Sequence, residues 1–250
     1  MKILVIIGSL RKGNTYNIVK KIEAYHCQQY QCEYEYVFLK DINLQLCRGC
    51  FLCISQGEDL CPLKDERNNL ITKIETADGV IVASPNYAQN VPWIMKNFID
   101  RFAYTLHRPK FFNKKFMMLI NSGSVMGAKS ALKALSLTAS GGAIINTAIV
   151  LTSPNMNEKK KERSEKVIKN TAISFAKNMN KKTSTKPSFG YLIWFSAFKA
   201  VSEVYVTEKA DYEFYKSRNY FEDIPLNMFQ TSTIQIFTRL FRFLLKMGIM

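Results

Sequence analysis

Ile3-Leu4-Val5-Ile6-Ile7-Gly8-Ser9-Leu10-Arg11-Lys12-Gly13-Asn14-Thr15 opens with five consecutive apolar residues and closes on a turn rich in glycine and polar side chains. A short apolar run bounded by turn residues is the pattern of a strand buried on both faces. Behind the turn, Thr15, Ile18, Val19, Ile22 and Tyr25 recur at helical spacing, so an amphipathic helix is expected to run to about Tyr30. The order strand, turn, helix puts residues 8–15 at a helix start, where unpaired backbone N–H groups and the positive end of the dipole favour an anion. Ser9, Asn14 and Thr15 add hydroxyl and amide donors there, and Arg11 adds a charge. The spacing is neither G-x-x-x-x-G-K-[ST] nor G-x-G-x-x-G, which excludes an ATP P-loop and a dinucleotide fingerprint. A phosphate loop of the kind that holds a mononucleotide remains, beside the plainer reading of a strand-to-helix turn with an Asn or Thr cap.

Outward from this stretch the same alternation repeats. Cys32 to Leu39, rich in Tyr, Val and Phe, reads as a second strand, and Asp65 to Thr76 carries Leu70, Ile71 and Ile74 on one helical side. Gly79 to Ala83 is a third, doubly buried strand; its turn, Ser84 to Val91, leads through Pro92 into a helix whose buried side is Met95, Phe98, Ile99, Phe102 and Leu106. Phe116 to Asn121 is a fourth strand, followed by the small-residue loop Ser122-Gly123-Ser124-Val125-Met126-Gly127 and a helix to about Ser140. Ala143 to Leu151 is a fifth strand, and a basic helix starts at Asn157. Such alternation implies an α/β fold with a parallel sheet, helices on both faces and right-handed crossovers. Ligands in that architecture bind beyond the carboxyl ends of the strands, so the loops after strands one, three and four converge on one crevice. Tyr87 offers that crevice a flat ring or packs on its own loop, and the Gly123 backbone allows close approach.

The composition turns polar and basic over 181–188, which marks a linker between a domain at 1–180 and an appendage at 189–250. The appendage is expected to be helical. Its last part, Thr231 to Met247, sets Arg239, Arg242 and Lys246 against Ile234, Phe237, Phe241 and Leu244. A helix of that kind docks on its own domain or on a partner subunit, or lies on an anionic membrane; docking is the plainer expectation.

A hydrophobic fraction of 47% and 12% aromatic residues exclude a disordered chain. The net charge of +15 raises the question of nucleic acid, but residues 156–186 alone hold ten Lys and Arg against three Glu, and no nucleic-acid motif accompanies them. A solvated basic helix accounts for that segment. Met1-Lys2 followed at once by a short apolar strand lacks the h-region of a secretory signal, so a cytoplasmic protein is expected. Cys47-x2-Cys50-x2-Cys53-x7-Cys61-Pro62 gathers four of the six cysteines. In a reducing compartment that clustering points to metal or redox chemistry. Its first three spacings match those of a ferredoxin-type cluster site, with a longer last gap; zinc and free thiols also fit sulfur ligands. Cys27 and Cys32 read as structural. His26, on a polar helix side, and His107, at a helix end, read as surface or cap residues, and Asp100 and Arg101 as ties from their helix to its surroundings or to a second subunit.

Three stretches taken together resemble the NADPH-dependent FMN reductase and iron-sulfur flavoprotein branch of the flavodoxin-like superfamily. They are the Gly8-Ser9 to Asn14-Thr15 loop, the cysteine run through Cys61-Pro62-Leu63-Lys64-Asp65, and Ser84-Pro85-Asn86-Tyr87 with Lys96-Asn97-Phe98-Ile99-Asp100-Arg101. The likeness covers about Met1 to Ser153, and Asp211-Tyr212-Glu213-Phe214-Tyr215 is similar to the tail of some members. It implies a doubly wound five-stranded sheet in the order 2-1-3-4-5. It implies FMN held by its phosphate at Ser9, Arg11, Asn14 and Thr15, with the ring against Pro85, Asn86, Tyr87, Ser122 and Gly123. The resemblance also implies a [4Fe-4S] cluster on Cys47, Cys50, Cys53 and Cys61, and NAD(P)H as co-substrate. The family commonly has an aliphatic residue between Pro85 and Tyr87, so Asn86 is a departure that alters hydrogen bonding near the ring. Flavin chemistry needs no protein nucleophile, so no catalytic side chain is expected. The reading is an FMN-dependent oxidoreductase carrying electrons from NAD(P)H or ferredoxin to an acceptor such as a quinone or flavin. Its alternative is a non-enzymatic electron carrier or a cysteine-based redox sensor. The expected partners are a small-molecule or protein redox partner and a second copy of the chain, with no nucleic acid; a membrane surface is the lesser expectation.

Overall fold

A computed structural model describes residues 1–182, 187–205 and 209–249. Among these residues the chain divides into two compact units. The first comprises Met1–Cys47, Asp65–Phe102 and Phe111–Thr183; the second comprises Arg48–Lys64, Ala103–Lys110 and Ser184–Met250. Half of the expected linker at 181–188, residues 183–186, lies outside the described residues. The second unit is built from more than the tail, because the cysteine loop and residues 103–110 cluster with it.

The first unit is a single sheet with helices on both sides. Its strands are β1 (Lys2–Ile7), β2 (Glu33–Phe38), β3 (Gly79–Pro85), β4 (Lys115–Ser122) and β5 (Ala143–Leu151), all parallel, in the order β2-β1-β3-β4-β5. Its helices are α1 (Asn14–Cys27), α2 (Arg67–Thr76), α3 (Trp93–Arg101), α4 (Ala128–Ser136) and α5 (Glu158–Met179). This is the doubly wound, flavodoxin-like arrangement that the alternation implies. Ile3, Val5 and Ile7 of β1 pack with Ile18, Val19 and Ile22 of α1 and with Ile168, Ala172 and Phe175 of α5. Leu4 and Ile6, equally without exposure, point to the opposite face because successive strand side chains alternate. A strand buried on both sides has no polar face, which is why β1, β3 and β4 read as unbroken apolar runs.

Three local departures from the sequence reading have physical causes. Helix α1 ends at Cys27, short of Tyr30, and a disulfide between Cys27 and Cys32 spans the turn into β2. The helix expected to run from Pro92 through Leu106 stops at Arg101, where the Phe102 N–H is shared between the carbonyls of Phe98 and Ile99; Tyr104–His107 forms a separate turn in the second unit. His26 is a core residue and has no exposure. It follows Ile18 and Ile22 at steps of four, so it continues their stripe; its Nδ1 lies 2.8 Å from the Tyr34 hydroxyl and its ring stands edge-on to Phe175. Burial lowers the His26 pKa, which keeps the ring neutral.

The second unit contains α6 (Phe189–Val204), α7 (Lys209–Tyr215) and α8 (Met228–Lys246), with short helical turns at Leu52–Ser55 and Tyr104–His107. Helix α8 starts on a capping box, Asn227 accepting from the Gln230 N–H and the Gln230 side chain accepting from the Asn227 N–H. Among the described residues no helix is long and apolar enough to cross a membrane.

Candidate functional site

The strand order reverses between β1 and β3, since the chain leaves β1 for β2 on one side and returns to β3 on the other. In open parallel sheets that switch point is where a crevice forms beyond the carboxyl ends. Ile7 pairs with Ala83 and Pro85 with Asn121, so β1, β3 and β4 finish side by side. The loops that follow carry every residue expected to touch FMN. Ser9, Arg11, Asn14 and Thr15 follow β1. Pro85 ends β3, with Asn86 and Tyr87 next, and Ser122 ends β4, with Gly123 next.

The first loop closes on itself. The Gly8 N–H donates to the Ala83 carbonyl at 2.9 Å, and the Ser9 hydroxyl donates to the Arg11 carbonyl at 2.9 Å. Gly8 has no room for a side chain, since a Cβ there would come within 2.7 Å of Met95. Helix α1 begins on Gly13, which supplies no side-chain cap, so the N–H groups of its first turn have no side-chain acceptor. Asn14 is turned instead toward Thr152: its amide donates to the Thr152 hydroxyl at 3.1 Å, and that hydroxyl donates to Asn121 Oδ1 at 2.6 Å. The plainer reading of an Asn or Thr cap on this helix therefore does not hold. Thr152 and Asn121 were not singled out in the sequence. Their only signal there is position, one residue beyond β5 and one residue before the end of β4.

The second and third loops are locked together. Asn86 donates through its amide to Ser122 Oγ at 2.9 Å and to the Met126 carbonyl at 2.8 Å, while its Oδ1 is buried and has no partner among the described residues. Tyr87 and Asn90 exchange backbone hydrogen bonds of 2.8 and 2.9 Å around Ala88 and Gln89, both of positive φ (47° and 65°). Non-glycine residues rarely adopt that conformation, and neighbouring structure has to hold them in it. Gly127, itself at φ 70°, supplies the support: a Cβ there would sit 2.2 Å from Gln89 Cα. Leu10, Tyr87, Val125 and Met126 are exposed on these loops, and Trp93 is exposed at the start of α3. Exposed large apolar side chains gathered on the loops of one sheet edge are what a flat aromatic ligand needs. To the side, beyond β4 and β5, a cavity of about 470 Å³ is lined by Gly123, Ser124, Leu151, Lys160 and Arg163.

Helix α3 is tied to Asp65, just after the cysteines, by a buried ion pair, and to the chain before them by hydrogen bonds. Arg101 donates to both carboxylate oxygens of Asp65 and to the Gln45 carbonyl, while Asn97 accepts from the Cys47 N–H at 2.9 Å. The side chains of Arg101 and Asp65 are 1% and 0% exposed. Arg101 thus acts as a tie, and Asp100 forms only a surface pair with Lys96. Burial pushes the Asp65 carboxyl up, but the Arg101 guanidinium and the N–H groups of Arg67 and Gln45 outweigh it and hold the pKa below its usual value. A depressed carboxyl contributes stability above the unfolded pKa of about 4, lost as pH falls through the lower folded value. Asp65→Asn is therefore expected to be less stable than the parent at pH 7, and the gap should close below about pH 4. Denaturant titrations of both proteins across that range measure it, and a gap independent of pH would refute the assignment.

Of the four clustered cysteines, Cys47 ends the first stretch of the first unit, while Cys50, Cys53 and Cys61 belong to the second. Cys47 and Cys50 are exposed, Cys53 is half-buried and Cys61 buried, and none of the four is in a disulfide. Among the described residues no group of three or more His, Cys, Asp or Glu side chains is placed to hold a metal. Within the second unit Arg108 donates to the carbonyls of Cys53 and Ile54, at 2.5 and 3.0 Å, and to Asp211, and lies 3.3 Å from Glu58. His107 Nδ1 is 2.7 Å from the other Asp211 oxygen, and the Tyr215 hydroxyl donates to the His107 carbonyl. The Asp211 to Tyr215 segment, noted in the sequence for likeness alone, is thus an anchor for the cysteine loop.

Comparison with known proteins agrees with this geometry. An iron-sulfur flavoprotein of Archaeoglobus fulgidus is 33% identical over 152 residues, covering 60% of this chain and 74% of the relative. One from Methanosarcina thermophila is 32% identical over 111 residues, covering 44% of this chain and 56% of the relative, so the chain spans about half the length of that protein. An NAD(P)H:quinone oxidoreductase from Methanothermobacter marburgensis shares the fold, with a TM-score of 0.57, 14% identity, and coverage of 74% of this chain and 99% of the other. The family model for NADPH-dependent FMN reductase matches residues 1–158, the stretch that carries all five strands and their three converging loops, and the chain belongs to that family of oxidoreductases.

Proposed function

We propose that this chain binds FMN at the β1–β3 switch point and carries electrons from NAD(P)H or ferredoxin to a small acceptor such as a quinone or a flavin. The observation that carries the reading is the pairing, on one sheet edge, of a helix start without a side-chain cap and a ring of exposed apolar side chains. The first suits a phosphate, the second a flat ring. The residues present fit the group. Open N–H groups at the start of α1, beside Ser9, Arg11, Asn14 and Thr15, would hold the phosphate. Pro85, Asn86, Tyr87, Ser122 and Gly123 would border the ring, and the unpartnered Asn86 Oδ1 is an acceptor that a ring N–H satisfies once the loop opens to it.

Bound flavin supplies the two-electron and one-electron chemistry, and the protein supplies position and electrostatics. Gly8 keeps the first loop close to β3, and Asn86 fixes the second loop to the third through Ser122 and Met126. Arg11 places a cation beside an anionic ligand. Trp93 and Tyr87 limit the approach of water to the ring. None of these side chains transfers a proton or forms a bond.

The cysteine spacing and the names of the relatives support a [4Fe-4S] cluster on Cys47, Cys50, Cys53 and Cys61. No electron-transfer step is derived through it. Anaerobic purification followed by flavin, iron and sulfide analysis tests both parts. The expected result is about one FMN and about four Fe per chain. Protein that neither carries FMN nor takes it up refutes the function; one Zn or no metal refutes the cluster alone. NAD(P)H oxidation with a quinone acceptor separates the reductase from a cysteine-based sensor, which would show negligible turnover. The protein is placed in the cytoplasm on the same reading, as a homo-oligomer.

A further inference from the structure

Helix α8 has one face that docking within its own unit does not use. Thr233, Ile234, Thr238 and Leu245 are buried, and Ser196 of α6 donates to the Ile234 carbonyl at 3.3 Å, which marks the face turned to α6. Phe229, Ile236, Leu240, Phe243 and Met247 follow one another at steps of seven, four, three and four, so they fall on one narrow stripe of a 3.6-residue helix. They are 68%, 61%, 44%, 60% and 58% exposed. A continuous stripe of large apolar side chains differs from scattered exposed ones, because it marks an interaction face.

The charges beside the stripe select its occupant. Met228–Lys246 contains no acidic residue, and Arg239, Arg242 and Lys246 lie together along one edge of the stripe. Arg242 donates to Glu203 of α6, whereas Arg239 has no partner among the described residues. A second copy set antiparallel on the same stripe would bring like-charged edges together, and a parallel one would offer no acidic residue to them, in a chain of net charge +15. An anionic surface would neutralise them. The same edge borders a groove of about 620 Å³ lined by Lys199, Asn219, Ile224, Thr238, Arg239 and Arg242. Thr238 is 5% exposed, and its Oγ1, like Arg242 Nε, is buried without a partner among the described residues. Polar capacity is therefore left over beside the apolar stripe.

We propose that α8 lies in the plane of an anionic phospholipid surface, with the Phe229 to Met247 stripe in the acyl boundary and the Arg239 edge and its groove taking headgroup phosphate. Its length suits this, for 19 residues reach about 28 Å along the surface, and among the described residues no helix is long and apolar enough to span. Binding of this kind combines buried apolar area with attraction to anionic lipid, so it needs both the stripe and the charged edge. The inference rests on the second unit alone and does not depend on flavin at the first.

Sedimentation of the full-length holoprotein with phosphatidylglycerol and phosphatidylcholine vesicles tests it. Binding to the anionic vesicles is expected, weaker by about tenfold on the neutral ones and reduced by about 0.5 M salt. The double variant Ile236→Ser with Phe243→Ser changes no charge and touches two exposed positions, so turnover with a soluble acceptor should be unchanged while vesicle affinity falls by about tenfold. Three results would overturn the proposal. One is failure of the intact protein to bind anionic vesicles. Another is equal binding by the double variant, which would mean adsorption through net charge alone. The third is release by millimolar inorganic phosphate at constant ionic strength, which would mean a free-phosphate site in the groove. A dimer that the double variant dissociates, without vesicle binding, would assign the stripe to a second copy.

Discussion

Asp211→Ala is expected to destabilise the second unit by about 3–5 kcal/mol, the usual cost of removing one partner from a buried ion pair. Asp211 is 1% exposed and takes both Arg108 and His107, so the substitution removes the buried partner of a guanidinium that is itself only 7% exposed and leaves it the longer pair with Glu58. Arg108 also donates to the carbonyls of Cys53 and Ile54, and without Asp211 it would be held less firmly where it closes that loop. Residues 48–64 and the helices of the second unit should therefore gain hydrogen exchange and protease sensitivity together. All of these contacts lie in the second unit, so FMN affinity, a property of the switch-point loops, should stay near that of the parent. Asp211→Asn keeps the shape and one acceptor and should cost less. An Asp211→Ala protein with unchanged exchange at 48–64 would show that the pair does not anchor the cysteine loop.

Gly127→Ala is expected to weaken FMN binding by about 100-fold, or roughly 2.7 kcal/mol. Two costs coincide at this position. A side chain at φ 70° is strained, and a Cβ would lie 2.2 Å from Gln89 Cα, a backbone atom that cannot swing aside. Relief comes from displacing the Tyr87 to Asn90 turn, which carries Tyr87 away from the ring it is proposed to border. Gly248 has a similar φ of 68° with nothing within 4 Å, so Gly248→Ala controls for backbone strain alone. Flavin fluorescence titration of the two variants measures the difference. Equal affinities would mean that the locked pair of loops does not shape the flavin site.

The parts of the molecule that could be read from sequence are those governed by local rules. Ile3 to Ile7, Val80 to Ala83 and Phe116 to Ile120 are apolar without alternation because both faces of each strand are covered, and that burial is visible in composition alone. Parallel strands need helical crossovers, so the alternation of elements fixed the layers, and the turn residues at 8–15, 84–91 and 122–127 placed a crevice at the carboxyl edge. By itself, then, the sequence determined the doubly wound sheet, its sided crevice and the family.

What it could not determine depends on contacts between residues far apart in the chain. His26 looked polar on its own helix and became core because α5 brings Phe175 onto it. Asn14, on the phosphate loop, also reaches Thr152, 138 residues away. Asn86, odd beside its family, proved to be the clasp between two loops. The cysteines stand at cluster-like spacing, yet spacing fixes only how far apart ligands are along the chain, whereas a metal needs their sulfur atoms to converge in space. Membership of residues 48–64 and 103–110 in the second unit, and the apolar stripe left open on α8, were likewise decided by tertiary packing. A periodic pattern says that a helix has an apolar side, but only the neighbours that fold against it decide which part of that side stays in water.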